Sequence, residues 1–209
     1  MTRTHPHNAR LFVISAPSGA GKTSLVKALL QSDPALCVSV SHTTRAKRPN
    51  EEEGRDYFFV DIPHFEALRD AGAFLEWAPV FDNFYGTGRE QVEQRFREGR
   101  NVVLEIDWQG ARQVRRAAPG CTSIFILPPS REALEARLRT RRTDSDEVIQ
   151  RRLRDAAGDM THCREFDYAV VNDQFESAVA QLRQIVRGDG EKLRSSRPEL
   201  TTLLARLVA

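Results

Sequence analysis

An α/β fold with a parallel central sheet is the class this 209-residue chain predicts, and three observations carry it. Short apolar, β-branched runs recur along the chain, segments of helical period separate them, and the runs are unbroken rather than alternating. Unbroken runs are expected of strands covered on both faces, and strand–helix alternation is the pattern of parallel sheets.

The first run, Leu11-Phe12-Val13-Ile14-Ser15, passes through a Gly/Ser/Pro turn into a helix from about Lys22 through Leu30. Further strands are expected at Leu36 to Ser41, Val102 to Asp107, Ser123 to Leu127 and Tyr168 to Val171. The stretch from Thr43 to Gly88 differs. It holds Asp56-Tyr57-Phe58-Phe59-Val60, a short helix from about Pro63 to Asp70, a run from Phe74 to Phe81, and the aromatic turn Asn83-Phe84-Tyr85-Gly86. This reads as a small, partly antiparallel insert at strand ends, where α/β enzymes hold substrates. From Arg131 to Arg154 the chain is helical and rich in arginine: 131, 137, 139, 141, 142, 151, 152 and 154. A last helix, Pro198 to Val208, has Leu200, Leu203, Leu204 and Leu207 at helical spacing, a docking face for the body or for a second subunit.

Lys and Arg total 31 against 29 Asp and Glu, for a net charge of +2. That balance gives no ground for bulk attraction to nucleic acid or membrane, and we expect neither as a partner. No run approaches the ~18 apolar residues of a membrane span. Residues 1–10 are polar and carry His5 and His7. They lack the apolar middle of a signal peptide and read as a flexible tail. Cys37, Cys121 and Cys163 are scattered with no CxxC pair, the usage expected of reduced thiols in the cytoplasm.

The strongest local signal is Ala16-Pro17-Ser18-Gly19-Ala20-Gly21-Lys22-Thr23, between the first strand and the first helix. It matches G-x-x-x-x-G-K-[ST] with Ala16 in place of the first glycine. Gly19 and Gly21 let the backbone curl so that its N–H groups converge on phosphate oxygens. The helix starting near Lys22 directs its positive end at the same anion. Lys22 adds a mobile charge at the β- and γ-phosphates, and Thr23 offers a hydroxyl to Mg²⁺. Such a cradle binds a nucleoside triphosphate; alone it does not separate kinase from GTPase or ATPase.

A second anion site lies in the insert. Arg45 and Arg48 are two guanidiniums on one loop, able to grip a second phosphate in bidentate fashion. Tyr57 and Tyr85 can add hydroxyls, and a buried carboxylate at Glu76 suits guanine, whose N1–H and N2–H₂ are both donors. Here the chain strongly resembles guanylate kinases. The family pattern S-x-S-x-T-T-R-x-x-R-x-G-E-x-x-G-x-D-Y-x-F-V appears as Ser39-Val40-Ser41-His42-Thr43-Thr44-Arg45, Arg48, Glu51, Gly54 and Asp56-Tyr57-Phe58-Phe59-Val60, with Asn50 where the family has glycine. The likeness runs from about Leu11 to Val186. It takes in Phe74-Leu75-Glu76-Trp77-Ala78, Asn83-Phe84-Tyr85-Gly86-Thr87, Glu105-Ile106-Asp107-Trp108-Gln109-Gly110, and Asp167-Tyr168 through Asn172-Asp173.

The resemblance implies a three-layer P-loop NTPase fold with a mixed-β GMP-binding insert and a helical lid. It divides the chain into a tail (1–10), a domain at 11–188 and a C-terminal linker and helix (189–209). Within the domain, the core is 11–42, 88–130 and 165–188, the insert 43–87, and the lid 131–164. It implies transfer of the γ-phosphoryl of ATP to GMP, with Mg²⁺ as cofactor and dGMP as an open second acceptor. Arg45, Arg48, Tyr57 and Tyr85 would hold the GMP phosphate and Ser41, Glu76, Thr87 and Asp107 would read the guanine, with Glu51 also in the GMP site. Ala16 through Thr23, with Arg137 and Asn172, would hold ATP, Asn172 at the adenine. Lys22, Arg45, Arg141 and Arg152 would be catalytic, with Arg142 where the family often has glycine. Thr23 and Glu105 would serve the metal, partly through water, though Glu105 and Asp107 remain interchangeable at this point. The chain would act as a monomer, or as a homo-oligomer through its last helix.

Three other readings compete. A kinase for another phosphorylated acceptor would keep the cradle without needing Glu76, Thr87 and Asp107 together. A non-catalytic phosphopeptide-binding relative would have lost Lys22 and the loop glycines, which are present. A nucleic-acid module would not interleave its arginines with Glu132, Glu135, Asp144, Asp146 and Glu147.

Overall fold

A computed structural model of the chain describes residues 9–80, 82–140 and 145–209. The chain begins with β1 (Leu11–Ser15), α1 (Lys22–Ser32), β2 (Leu36–Val38), β3 (His42–Thr43) and β4 (Phe58–Phe59). Then come α2 (Ile62–Asp70), β5 (Phe74–Val80), β6 (Asn83–Gly88), α3 (Arg89–Arg97), β7 (Asn101–Glu105) and α4 (Trp108–Ala117). The last third holds β8 (Thr122–Leu127), α5 (Arg131–Thr140), α6 (Asp146–Met160), β9 (Tyr168–Val171), α7 (Phe175–Arg187) and α8 (Glu199–Val208). Five strands form one sheet in the order β2-β7-β1-β8-β9, and four form a second in the order β4-β3-β6-β5. The pairs β2–β7 and β8–β9 are parallel. The second sheet is mixed: β3–β4 is parallel, while β3–β6 and β5–β6 are antiparallel. The expected fold class, α/β with a parallel central sheet and a mixed insert, is what the chain adopts.

Two compact units emerge, Met1–Val13 with Pro34–Cys121 and Ile14–Asp33 with Thr122–Ala209. We call them the acceptor unit and the loop unit. In the acceptor unit, Val102, Val103 and Leu104 of β7 are fully buried, as are Ala111 and Val114 on one face of α4. A separate aromatic cluster supports the mixed sheet. Phe65 of α2 is fully buried, 4.6 Å from the Phe74 ring and stacked 5.4 Å from Phe84. Truncating such a phenylalanine costs about 3–5 kcal/mol. The α2 helix starts where it does because Asp61 accepts from the His64 N–H at 2.8 Å and Pro63 fills the first turn.

In the loop unit, Ile124 to Leu127 of β8 and Ala169 and Val170 of β9 are fully buried. So are Leu25 and Leu29 of α1, Leu134 and Leu138 of α5 are nearly so, and Leu182 of α7 completes the set. The α8 face is used within the chain: Leu200 and Leu207 are buried and the helix packs on α6. Arg164 fixes its start, donating to Ser195 O at 2.7 Å and to Thr201 Oγ1 at 2.8 Å.

Several expected boundaries move. The strand read as Leu36 to Ser41 ends at Val38, because the chain changes sheets there. Ser39 N still donates to Val103 O, but Ser41 O accepts from Phe58 N at 2.9 Å, and β3 follows in the mixed sheet. Of the run Asp56 to Val60 only Phe58 and Phe59 form a strand, and the run expected to reach Phe81 ends at Val80, with Phe81 outside the described residues. The arginine-rich helix expected over 131–154 is two helices, α5 and α6, the second reaching Met160 with Ser145 as its capping residue.

Candidate active site

In the acceptor unit, strand pairing brings the polar residues together. Glu76 of β5 stands directly across from Thr87 of β6, and the Thr87 hydroxyl donates to Glu76 Oε1 at 2.6 Å. Glu76 is 4% exposed and Thr87 is wholly buried, so Thr87 sits behind the carboxylate and holds it. The first turn of α4 closes on the other side. A Cβ on Gly110 would stand 2.4 Å from Glu76 Oε2, so only glycine leaves the carboxylate its place. Asp107, expected at the guanine, is the N-cap of α4, its Oδ1 accepting from Gly110 N at 2.8 Å. Gln113 then ties α4 to β5 beside Glu76. Its Nε2 donates to Trp77 O at 2.6 Å, and its Oε1 accepts from Trp77 N at 3.2 Å.

The arginine loop is equally organised. Arg45 grips Glu51 with both ends of its fork, Nη2 to Oε1 at 2.8 Å and Nη1 to Oε2 at 3.0 Å. Nη1 also donates to Ala46 O. The guanidinium lies 5.4 Å above the Tyr57 ring and 5.8 Å from Phe59. Glu51 also accepts from Arg48 N at 2.9 Å, while the Arg48 side chain is 71% exposed. Glu51 therefore shapes the loop that carries both arginines. Hydrogen bonding to Arg45 holds its carboxyl below the usual glutamate range. Tyr57 and Tyr85 face each other edge to face at 5.9 Å. Burial, with Tyr85 and Glu105 nearby, pushes the Tyr57 phenol up and keeps it a donor. Ser41 is half-buried at the sheet change, and Glu105 is half-buried at the end of β7.

In the loop unit a glycine-rich stretch of backbone frames a cavity. Residues Ala16 through Ser24, without Ala20, line a cavity of about 230 Å³. Gly19 (φ 87°) and Gly21 (φ 92°) are both left-handed, the conformation for which the pattern requires glycine. Helix α1 starts at Gly21 with no side-chain cap and no acidic residue in its first turn, whereas α2, α4 and α6 are each capped by their own Asp or Ser. Its N-terminal dipole is thus directed at the cavity lined by Lys22 and Thr23. Ala20 is buried and is not among the residues that line that cavity. Leu134 and Leu138 of α5 cover Gly19, where an added Cβ would meet them at 2.9–3.0 Å. Arg137 of α5 donates from Nη2 to Asn172 O at 2.8 Å, and its Nη1 is buried without a partner, a donor suited to an anion. Arg152 is half-buried on α6, and Arg141 lies outside the described residues.

Comparison with known proteins identifies the family. Residues 8–189 match the family model described as guanylate kinase. The chain is 57% identical over 198 residues to the guanylate kinase of Methylococcus capsulatus, covering 95% of this chain and 97% of that one. It is 58% identical over 177 residues to that of Thiobacillus denitrificans, covering 85% of each. Among solved structures, guanylate kinase from Anaplasma phagocytophilum superimposes with a TM-score of 0.71 at 34% identity, covering 96% of both chains. The chain belongs to the guanylate kinase family.

Within this guanylate kinase fold, sequence reasoning overlooked Gly110 and Gln113. Gln113 left no signal, since its partner Trp77 is 36 residues away. Gly110 did leave one, as the last residue of Glu105-Ile106-Asp107-Trp108-Gln109-Gly110, but its reason is visible only in Glu76.

Proposed function

We propose that this chain transfers the γ-phosphoryl group of ATP to GMP, giving ADP and GDP. The observation that carries this reading is the Thr87–Glu76 pair in a chain that also holds a glycine-rich phosphate cradle. An ionised carboxylate accepts only, so the Thr87 hydroxyl must spend its proton on Glu76. Such a carboxylate offers acceptors only, a match for the N1–H and N2–H₂ of guanine. Adenine, which presents an acceptor at N1, would leave a buried carboxylate oxygen opposed by a lone pair.

In this reading Arg45, Arg48, Tyr57 and Tyr85 bind the GMP phosphate, with Glu51 holding the two arginines in place. Ser41 and Asp107 border the base. Ala16 through Thr23 bind the triphosphate, and Arg137 adds charge beside the loop. No protein nucleophile is needed: an oxygen of the GMP phosphate attacks the γ-phosphorus, the bond to the β-phosphate oxygen breaks, and ADP leaves. Lys22, Arg45, Arg141 and Arg152 offset the negative charge that develops. Residues 43–87 act as the acceptor insert and 131–164 as the lid that excludes water.

Mg²⁺ takes oxygen ligands, and the groups proposed to serve it are the Thr23 hydroxyl and, through water, the Glu105 carboxylate. Among the described residues no group of three or more His, Cys, Asp or Glu side chains is arranged to hold a metal. Such an ion would therefore rest mainly on phosphate and water oxygens, supplying charge neutralisation at the transferring group. No helix among the described residues is long and apolar enough to cross a membrane. We place the protein in the cytoplasm, where three free cysteines are at home, and assign α8 to the chain's own body rather than to a second subunit.

The direct test is Glu76→Gln. An amide in that place offers an N–H to the donor edge of guanine, so KM for GMP should rise about 10–100-fold, the scale of one hydrogen bond to a charged group, while KM for ATP stays near its original value. Equal effects on both substrates would remove Glu76 from base recognition.

A further inference from the structure

Asn172, the first residue after β9, is 5% exposed and makes three bonds, all within the loop unit. Its N–H donates to Leu127 O at 2.8 Å, extending the β8–β9 ladder by one step. Its carbonyl accepts from Arg137 Nη2 at 2.8 Å. Its side-chain Nδ2 donates to Ala20 O at 2.8 Å. Because a backbone carbonyl can only accept, the atom facing it must be the amide nitrogen, and the orientation of the side chain is settled by chemistry. The contact is close enough that a Cβ on Gly21 would stand 2.4 Å from Nδ2.

The position of this bond in the loop gives it a consequence. Ala20 lies between Gly19 and Gly21, both left-handed. The Ala20–Gly21 peptide plane turns about ψ of Ala20 and φ of Gly21, and the glycine on that side gives it freedom to rotate. The Ala20 carbonyl and the Gly21 N–H belong to one planar trans peptide, so they point in opposite directions. Holding the carbonyl against Asn172 turns the Gly21 N–H the other way, toward the cavity lined by Ser18, Gly19, Gly21 and Lys22. A rotated plane would instead present a carbonyl oxygen to the phosphates. We propose that Asn172 is the positioning residue of the phosphate loop: its amide fixes the Ala20–Gly21 peptide so that the Gly21 N–H faces the triphosphate, and Arg137 links that brace to α5.

This rests on the reading of residues 16–23 as a triphosphate cradle, and it replaces the adenine contact expected of Asn172. The two roles differ in base dependence. A brace acts on phosphate whatever is attached to it, whereas an adenine contact acts only on adenine nucleotides.

The test is Asn172→Asp, which keeps the shape but sets a carboxylate against the Ala20 carbonyl. Affinities are measured for ATP, inorganic tripolyphosphate and GMP, with KM and kcat for ATP. The brace predicts that ATP and tripolyphosphate both weaken by the same factor, about tenfold or more, while the GMP affinity and kcat at saturating ATP hold. Weakened ATP with unchanged tripolyphosphate would return Asn172 to the adenine, and unchanged affinity for both would remove it from either role. Should the Asp variant fail to fold, Asn172→Ala removes the donor without adding charge and carries the same comparison. Lys22→Ala separates the premises: tripolyphosphate that binds this variant as well as the unmodified chain, or that binds neither, contradicts the cradle itself. Loss on Lys22→Ala without loss on Asn172→Asp or Asn172→Ala contradicts only the brace.

Discussion

The loop unit and the acceptor unit present their polar groups by opposite means. In the loop unit the groups around the cavity are mainly backbone, set by two left-handed glycines and an uncapped helix start. In the acceptor unit they are side chains, already bonded to one another: Thr87 to Glu76, Arg45 to Glu51, Asp107 to the first turn of α4. A backbone site can recognise only what every triphosphate shares. A side-chain site, with its donors and acceptors arranged by cross-strand register, can tell one base from another. In the proposed reading the difference locates selectivity: the acceptor unit would choose, and the loop unit would hold.

The largest expected effect breaks the loop side of this contrast. Lys22→Ala should lower kcat by about 10³-fold or more, the scale of losing a cationic group at the transferring phosphoryl, whichever acceptor is offered. Steady-state kinetics with near-normal kcat would show that the loop does not serve the reaction.

A smaller effect sharpens the acceptor side. Gly110→Ala places a methyl group 2.4 Å from Glu76 Oε2. The carboxylate must shift, and KM for GMP should rise about tenfold, the scale of one impaired charged hydrogen bond, with KM for ATP little changed. An unaltered KM for GMP would mean that the position of Glu76 is not what selects guanine.

The smallest effect concerns pH. The Glu51 carboxyl is held below its ordinary value first by its hydrogen bonds to Arg45. A depressed folded-state value means that the pair's contribution is fully present above the unfolded carboxyl value, near 4.5, and is lost as pH falls through the lower folded value. Acid titration should therefore loosen the Arg45–Arg48 loop and weaken GMP binding at pH values where the stability of Glu51→Gln no longer changes. Identical acid profiles for the two proteins would show that this pair does not govern the loop.

How much of this was legible in the sequence follows from the same contrast. The cradle could be read because left-handed backbone leaves its trace in residue type, at Gly19 and Gly21. Arg45, Glu76 and Thr87 could be named through the family pattern, but their mutual bonds could not, since they depend on which residue of β5 stands across from which residue of β6. The sheet change after Val38 was hidden because β-prone composition continues to Ser41 while the pairing partner changes. The bond from Asn172 to Ala20 was not legible, because nothing in the linear order places Asn172 against a residue 152 positions earlier.

The central claim is that this chain phosphorylates GMP in preference to other nucleoside monophosphates. The measurement is ADP formation from ATP and Mg²⁺ with GMP, AMP, UMP or CMP supplied separately, the products identified by mass. Rapid turnover with GMP alone, yielding GDP, is the predicted result. Comparable turnover with AMP, or ATP hydrolysis that needs no acceptor, would contradict it.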